Sequence, residues 1–352
     1  MIRFEKRKDI SKYFAVTAPF ISVLLALTTA GCIMLFAGVN PLKAYIGMFH
    51  ESLGSVYGIT ETLVKATPLI FTGLGVSIAF RMKIWNIGAD GQLYMGAIGA
   101  SWVALFSGLT GFAAMVGMFL AAAVCGGLWA SVAGFLKAKV RVNEIIVTLL
   151  MNYIAAAWVS YLVYGPWKDP KGFNFPITQR FSPDIMLSHF MTYRLNTGFL
   201  LALALVILLY ILVEKTIWGY EIKVIGDNPN AAKYAGIKID RSIIGVMFLS
   251  GALAGIAGYV EVAGVQGRLQ EGISQGYGYT AIIVAWLAGR SAIGVLIVSV
   301  IMAVILVGGD SLQILMQLPV AFVNMFQGLI LFFILASDFF IHNKITIRRS
   351  GK

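Results

Sequence analysis

Long apolar stretches alternate with short polar ones along this chain, at about 14–38, 62–80, 90–108, 112–136, 142–164, 196–214, 242–262, 276–289, 293–309 and 319–340. A helix needs about 20 such residues to cross a ~30 Å hydrocarbon core. The pattern predicts an all-α polytopic membrane protein with about ten transmembrane helices. Residues 14–340 form the membrane domain, between a short N-terminus (1–13) and a basic tail (341–352). The ten stretches divide into two halves of five, and an odd number per half implies two inverted halves. IGADGQLYMGAIGA (87–100) opens the third stretch, and GYGYTAIIVAWLAG (276–289) forms the eighth, the matching place in the second half. Glycine-interrupted segments so placed point to a midplane site between inverted repeats. Small residues also let membrane helices pack closely, and both readings stay open.

Composition agrees with this pattern, because 59% of the residues are hydrophobic and only 12% charged, about half the charge of a soluble domain. The net charge of +11 gains meaning from its placement. If both termini are cytoplasmic, 20 of the 27 Lys and Arg residues fall on the cytoplasmic side, as the positive-inside rule expects. Orientation thus accounts for the basic excess, and no nucleic-acid partner is implied. The same assignment makes 215–241 a cytoplasmic loop and 165–195 an external one. The external loop holds four of the nine prolines and reads as an ordered cap. Cys32 follows a basic start and an apolar run, as in a lipoprotein signal, but apolar sequence continues beyond it and nine more stretches follow. Cys32 and Cys125 read as packing residues.

Polar side chains inside apolar stretches need partners or water, which makes Asn86, Asp90 and Gln92 candidates for a translocation pathway. Glu144, Thr148 and Asn152 recur at i, i+4 and i+8 on one helix face, with Ala155 and Ala156 extending the stripe. Asn152 lies 11 residues past Arg141, a depth of ~16 Å. An interhelical hydrogen bond is the alternative role for Thr148 and Asn152. Glu144, one turn from the basic cluster Lys137, Lys139 and Arg141, reads as a paired carboxylate. Gln266 completes the pathway candidates at the outer end of the seventh stretch, where Glu261, Arg268 and Glu271 read as a solvated loop. Trp167 and Phe173 read as interface aromatics.

Enzyme chemistry has little to stand on, since His50, His189 and His342 lie outside the stretches or at their ends. The sequence suggests no catalytic and no metal-binding residues. It contains no GxxxxGK[ST] loop, so ATP would be used on another subunit.

The segments ETLVKATPLIFTGLGVSIAFRMKIWNIGADGQLYMGA (61–97), KVRVNEIIVTLLMNYIA (139–155) and GDNPNAAKYAGIKIDRSIIGVMFLSGALAGIAGYVE (226–261) resemble nucleoside-type permeases of bacterial ABC importers. These are related to ribose and branched-chain amino acid permeases. The resemblance implies a multi-pass protein of the bacterial cytoplasmic (inner) membrane. Its partners would be a cytoplasmic ATPase with two nucleotide-binding domains, which holds ATP and magnesium, a second and different permease, and a substrate-binding lipoprotein. It implies that nucleosides move inward by alternating access, with a simple sugar such as ribose the alternative and an ion-coupled secondary transporter a further one. It also implies that Ala231, Ala232 and Gly236, preceded by Gly226, Asp227, Asn228 and Pro229, form the helix that couples to the ATPase. Asn230 stands where the usual coupling motif has glutamate. Local chemistry agrees. Asp227 or Asn228 can cap a helix whose first position is Pro229, and Gly236 can end it at positive φ.

Overall fold

The computed structural model describes residues 2–6, 12–36, 38–190, 193–289 and 291–317. Beyond these it describes 319, 321, 322, 324–326, 328–330, 332, 333, 336 and 343–347. Most of the basic tail, Arg290, and much of the tenth expected crossing lie outside the described residues. The helices in chain order are α1 (Lys12–Phe36), α2 (Pro41–Leu53), α3 (Val56–Arg81), α4 (Ala89–Phe106), α5 (Gly111–Phe135) and α6 (Glu144–Tyr164). They continue as α7 (Gly198–Lys215), α8 (Ile217–Asp227), α9 (Pro229–Tyr234), α10 (Ile239–Val260), α11 (Tyr277–Leu287) and α12 (Ala292–Met316). Two five-residue strands, β1 (Ile2–Lys6) and β2 (Asn343–Ile347), pair antiparallel and depart from the all-helical expectation.

Six described helices are long and apolar enough to cross a membrane: α3, α6, α7 and α12, together with α5 and α10 extended by π-helical turns to Val140 and Gln266. Residues 21–36 and α2, bent by 117°, would make a seventh if they form one span. Helix α2 was not anticipated. Its Lys43, His50 and Glu51 break the apolar run, so the sequence reads as a connection. The expected eighth crossing is in fact α11, 11 residues and therefore ~16 Å long, about half the core thickness. Gly276 (φ 82°) and Gly289 (φ 58°) bracket it.

The chain divides into two compact units, residues 1–55 with 304–352, and residues 56–303. In the first, Asn40 caps α2 by accepting from the amides of Leu42 and Lys43. The Tyr45 hydroxyl donates to the Leu27 carbonyl, tying α2 to α1.

In the second unit, α10 packs on α3, α4 and α5, while α11 packs on α3 and α4. Exchanging α3 with α10 and α4 with α11 maps the α4–α10 packing onto the α11–α3 packing, whereas the smaller α3–α4 contact has no equal between α10 and α11. Glycines set the spacing along α10. A Cβ on Gly251 would lie 2.3 Å from the Gly126 carbonyl oxygen, and one on Gly255 would lie 2.2 Å from that of Ala122. The helices therefore meet backbone to backbone, the close approach that small residues permit in membranes.

The 165–195 loop ties back to the rest of the chain through its described residues. It is pinned along the segment that follows α10: Thr178 N donates to the Leu269 carbonyl, Phe181 N to that of Gly267, and Leu187 N to that of Ala263. Thr178, Phe181, Ile185 and Leu187 are buried in this cap.

Candidate functional site

Between Arg81 and α4 the chain makes a non-helical connection in which Asn86 is fully buried. An amide buried in a membrane helix bundle must find its partners within the protein, and Asn86 finds all four. Its Nδ2 donates to Gln92 Oε1 (3.0 Å) and Ser250 Oγ (2.8 Å). Its Oδ1 accepts from Gln92 Nε2 (2.9 Å) and Gly88 N (3.0 Å). Ser250 passes the link on by donating to the Gly75 carbonyl (2.6 Å). This knot joins α3, α4 and α10 around the helix break.

The α6 stripe closes the other side. Asn152 Oδ1 accepts from Gly91 N (2.8 Å), and its Nδ2 donates to the Ile87 carbonyl (2.9 Å) and Tyr279 Oη (3.3 Å). Thr148 Oγ1 donates to the Glu144 carbonyl (2.7 Å) and accepts from Ile87 N (3.3 Å). Asp90 accepts from the Ser274 hydroxyl and from Gly278 N, the latter at 3.0 Å, which fixes the start of α11 against the start of α4. Five of the six pathway candidates, Asn86, Asp90, Gln92, Thr148 and Asn152, are thus brought together, each buried and hydrogen-bonded to its neighbours. Gln266 stands apart at the end of the π-helical turn that follows α10, where it accepts from Gln270 Nε2 (3.0 Å).

Glu144 is paired as expected, at 2.6 Å from Lys137 Nζ. The expectation for Glu261 needs correction. It is buried, not solvated, because α10 continues through a π-helical turn (Glu261–Gln266) under the cap. In the same outer region Arg194 pairs with Glu61 at 3.1 Å. Asp184, in the cap, accepts from the Ser182 hydroxyl and from Gly111 N at the start of α5. These two bonds, the serine first, hold its carboxyl below the usual carboxylate range. Trp167 packs on Phe106 with ring centroids 5.3 Å apart, whereas Phe173 is exposed.

The segment joining α7 to α10 forms two short helices. Thr216 caps α8, and Asn228 caps α9 by accepting from the amides of Asn230 and Ala231, both at 3.1 Å. Pro229 takes the first helical position. The end of α9 closes with Ile237 N donating to the Ala232 carbonyl and Gly236 N to that of Lys233, with Gly236 at φ 78°. That is the paired-bond C-terminal motif built on a left-handed glycine. Of the coupling candidates, Asp227, Asn228, Pro229, Ala231 and Gly236 are exposed, while Gly226 and Ala232 are buried. Tyr234, which sequence reasoning passed over, is 94% exposed on α9. Aromatic content alone could not mark it, since the chain has 14 tyrosines. Ion pairs frame this region, Arg81 with Glu214 at 2.6 Å and Lys139 with Asp240 at 2.9 Å.

Three curated proteins resemble the chain along nearly its whole length. A glucose ABC transporter permease of Haloferax volcanii is 37% identical, over 98% of this chain and 94% of that protein. A guanosine ABC transporter permease of Bacillus subtilis is 31% identical, over 91% and 92%. A nucleoside ABC transporter permease of Lactococcus lactis subsp. cremoris is 30% identical, over 91% and 90%. The model of one permease family matches residues 58–335, which include the amide knot and the two short helices. The chain therefore belongs to the family of permease components of the branched-chain amino acid transport system type, and is a membrane subunit of an ABC transporter.

Proposed function

We propose that this chain is one of two different permeases through which nucleosides are imported across the cytoplasmic membrane by alternating access. Its partners on this reading are an ATPase with two nucleotide-binding domains docked on α9 and a lipoprotein that delivers substrate. The observation that carries the substrate is the pair of relatives named for guanosine and nucleosides, each matched over nine-tenths of both chains. In Bacillus subtilis a second guanosine permease is also similar, at 28% identity, which supports a paired arrangement. Membership of an ABC permease family removes the ion-coupled alternative.

Ten crossings in two inverted halves, with both ends cytoplasmic, remain the topology of choice, the half-length α11 crossing together with the non-helical segment before it. The matched packing of α4 on α10 and of α11 on α3 supports the repeat, and the β1–β2 pair brings the two ends together. The exposed, doubly capped α9 supports the docking role, since a helix of two turns is marginal alone and gains from a groove.

A simple sugar is the second reading, favoured by the glucose permease at 37% identity. Uptake of labelled guanosine and uridine, against glucose and ribose, in cells lacking the chain decides between them. Loss of nucleoside uptake is expected, and loss of sugar uptake alone would overturn the assignment.

A further inference from the structure

The exposed faces of the second unit differ in chemistry. On α5 the outward stripe is Phe112, Val116, Leu120, Val124, Leu128 and Val132, and on α7 it is Leu200, Ile207, Leu208 and Ile211, all apolar as a lipid-facing surface must be. The flank of α6 turned toward the start of α11 is different. Tyr153 is 65% exposed there, beside Asn152 and the exposed Tyr279. Two and three turns further out, Ser160 and Tyr164 donate to the carboxylate of the exposed Glu271. Gln275, also exposed, accepts from Lys65 Nζ (3.1 Å), and half-buried Tyr94 reaches the Ser274 carbonyl. From Tyr153 to Tyr164 the strip runs ~16 Å along the helix. Polar groups and tyrosine rings exposed at this depth require water or protein opposite them, not lipid.

We infer that this strip is one wall of the translocation pathway, where the base of a neutral nucleoside stacks on Tyr153 and Tyr279, the facing wall coming from the second permease. The inference rests on the nucleoside reading and names its specificity surface. Tyrosine faces suit a flat heteroaromatic ring, while Gln275, Glu271 and the phenol hydroxyls suit ribose hydroxyls and exocyclic amines. The exposed Glu271 carboxylate on the strip repels a phosphate, so the wall should reject nucleotides. The amide knot lies behind it and holds the wall in register, through Asn152 to Tyr279.

The test uses the assembled transporter with Cys32 and Cys125 replaced by alanine. Tyr153→Cys should be labelled by a membrane-impermeant charged thiol reagent and protected by saturating guanosine, while Val124→Cys on the α5 lipid face should resist labelling. Tyr153→Phe should keep the KM for guanosine, and Tyr153→Leu should raise it about tenfold. If Tyr153→Cys resists labelling like Val124→Cys, or Tyr153→Leu transports with unchanged KM, the wall is wrong. If the unmodified transporter imports glucose and no nucleoside, the substrate reading fails by itself. Labelling of Tyr153→Cys would in that case still show a water-filled wall on this face.

Discussion

Gly226 in α8 lies directly against the main-chain carbonyl of Arg81 at the end of α3, where a Cβ would come within 2.0 Å of the oxygen. The contact seats the segment that carries α9 on a helix that itself leads into the amide knot. Gly226→Ala must push α8 off that seat, an overpacking cost of about 1–3 kcal/mol. ATP-driven uptake by the assembled transporter should fall sharply, with membrane insertion preserved. Gly245→Ala in α10 meets nothing within 4 Å and should behave as wild type. Equal uptake by both variants would refute the seat.

Tyr234 and Ala232 separate docking from folding on α9. Tyr234 is 94% exposed, whereas Ala232 is fully buried within its own chain. Tyr234→Ala should weaken ATPase retention in a purified complex by about 2 kcal/mol, roughly 30-fold, without changing the thermal stability of the isolated permease. Ala232→Glu should lower that stability, because it buries an unpaired charge. A Tyr234→Ala permease that retains its ATPase at wild-type strength would remove α9 as the docking element.

Asn152→Ala would strip partners from Gly91 N and the Ile87 carbonyl. Each buried group left unpaired costs roughly 1–3 kcal/mol. A thermal melt in detergent should show a drop of several degrees, and a smaller drop for Tyr153→Ala, whose side chain is mostly exposed. The reverse order would place the structural burden on the wrong residue.

Asp184 gives the 165–195 cap a pH dependence. Its folded-state pKa lies below the ordinary carboxylate value, so its tie to Ser182 and Gly111 is fully present above about pH 4 and is lost as pH falls through the depressed value. Hydrogen exchange in the turn before α5 should quicken, relative to intrinsic rates, only in that acidic window. Asp184→Asn should abolish the step, and a step that persists in this variant would assign it elsewhere.

Hydrophobic periodicity made most helices legible, since each of the nine expected stretches before residue 310 coincides with a helix. The α9 caps were legible too, because Asn228, Pro229 and Gly236 act on backbone within three residues of themselves. The knot was only half legible. Asn86 and Asn152 announced themselves as polar groups in apolar sequence, but Ser250 and Tyr279 lie 164 and 127 residues away from them in the chain. Tyr153 adjoins Asn152 in sequence yet is exposed where Asn152 is buried, and only packing decides which of the two faces inward. The burial of Glu261 was hidden for a similar reason, since the cap that covers it belongs to a loop some 80 residues earlier.

The glycine seams along α10 carry a mechanical consequence. Sliding between packed helices normally proceeds through small side-chain rearrangements, and where Gly251 and Gly255 touch main-chain atoms of α5 there is no side-chain layer to rearrange. On the alternating-access reading proposed above, α5 and α10 are expected to move as one rigid piece. Compliance then falls to the short, exposed α9.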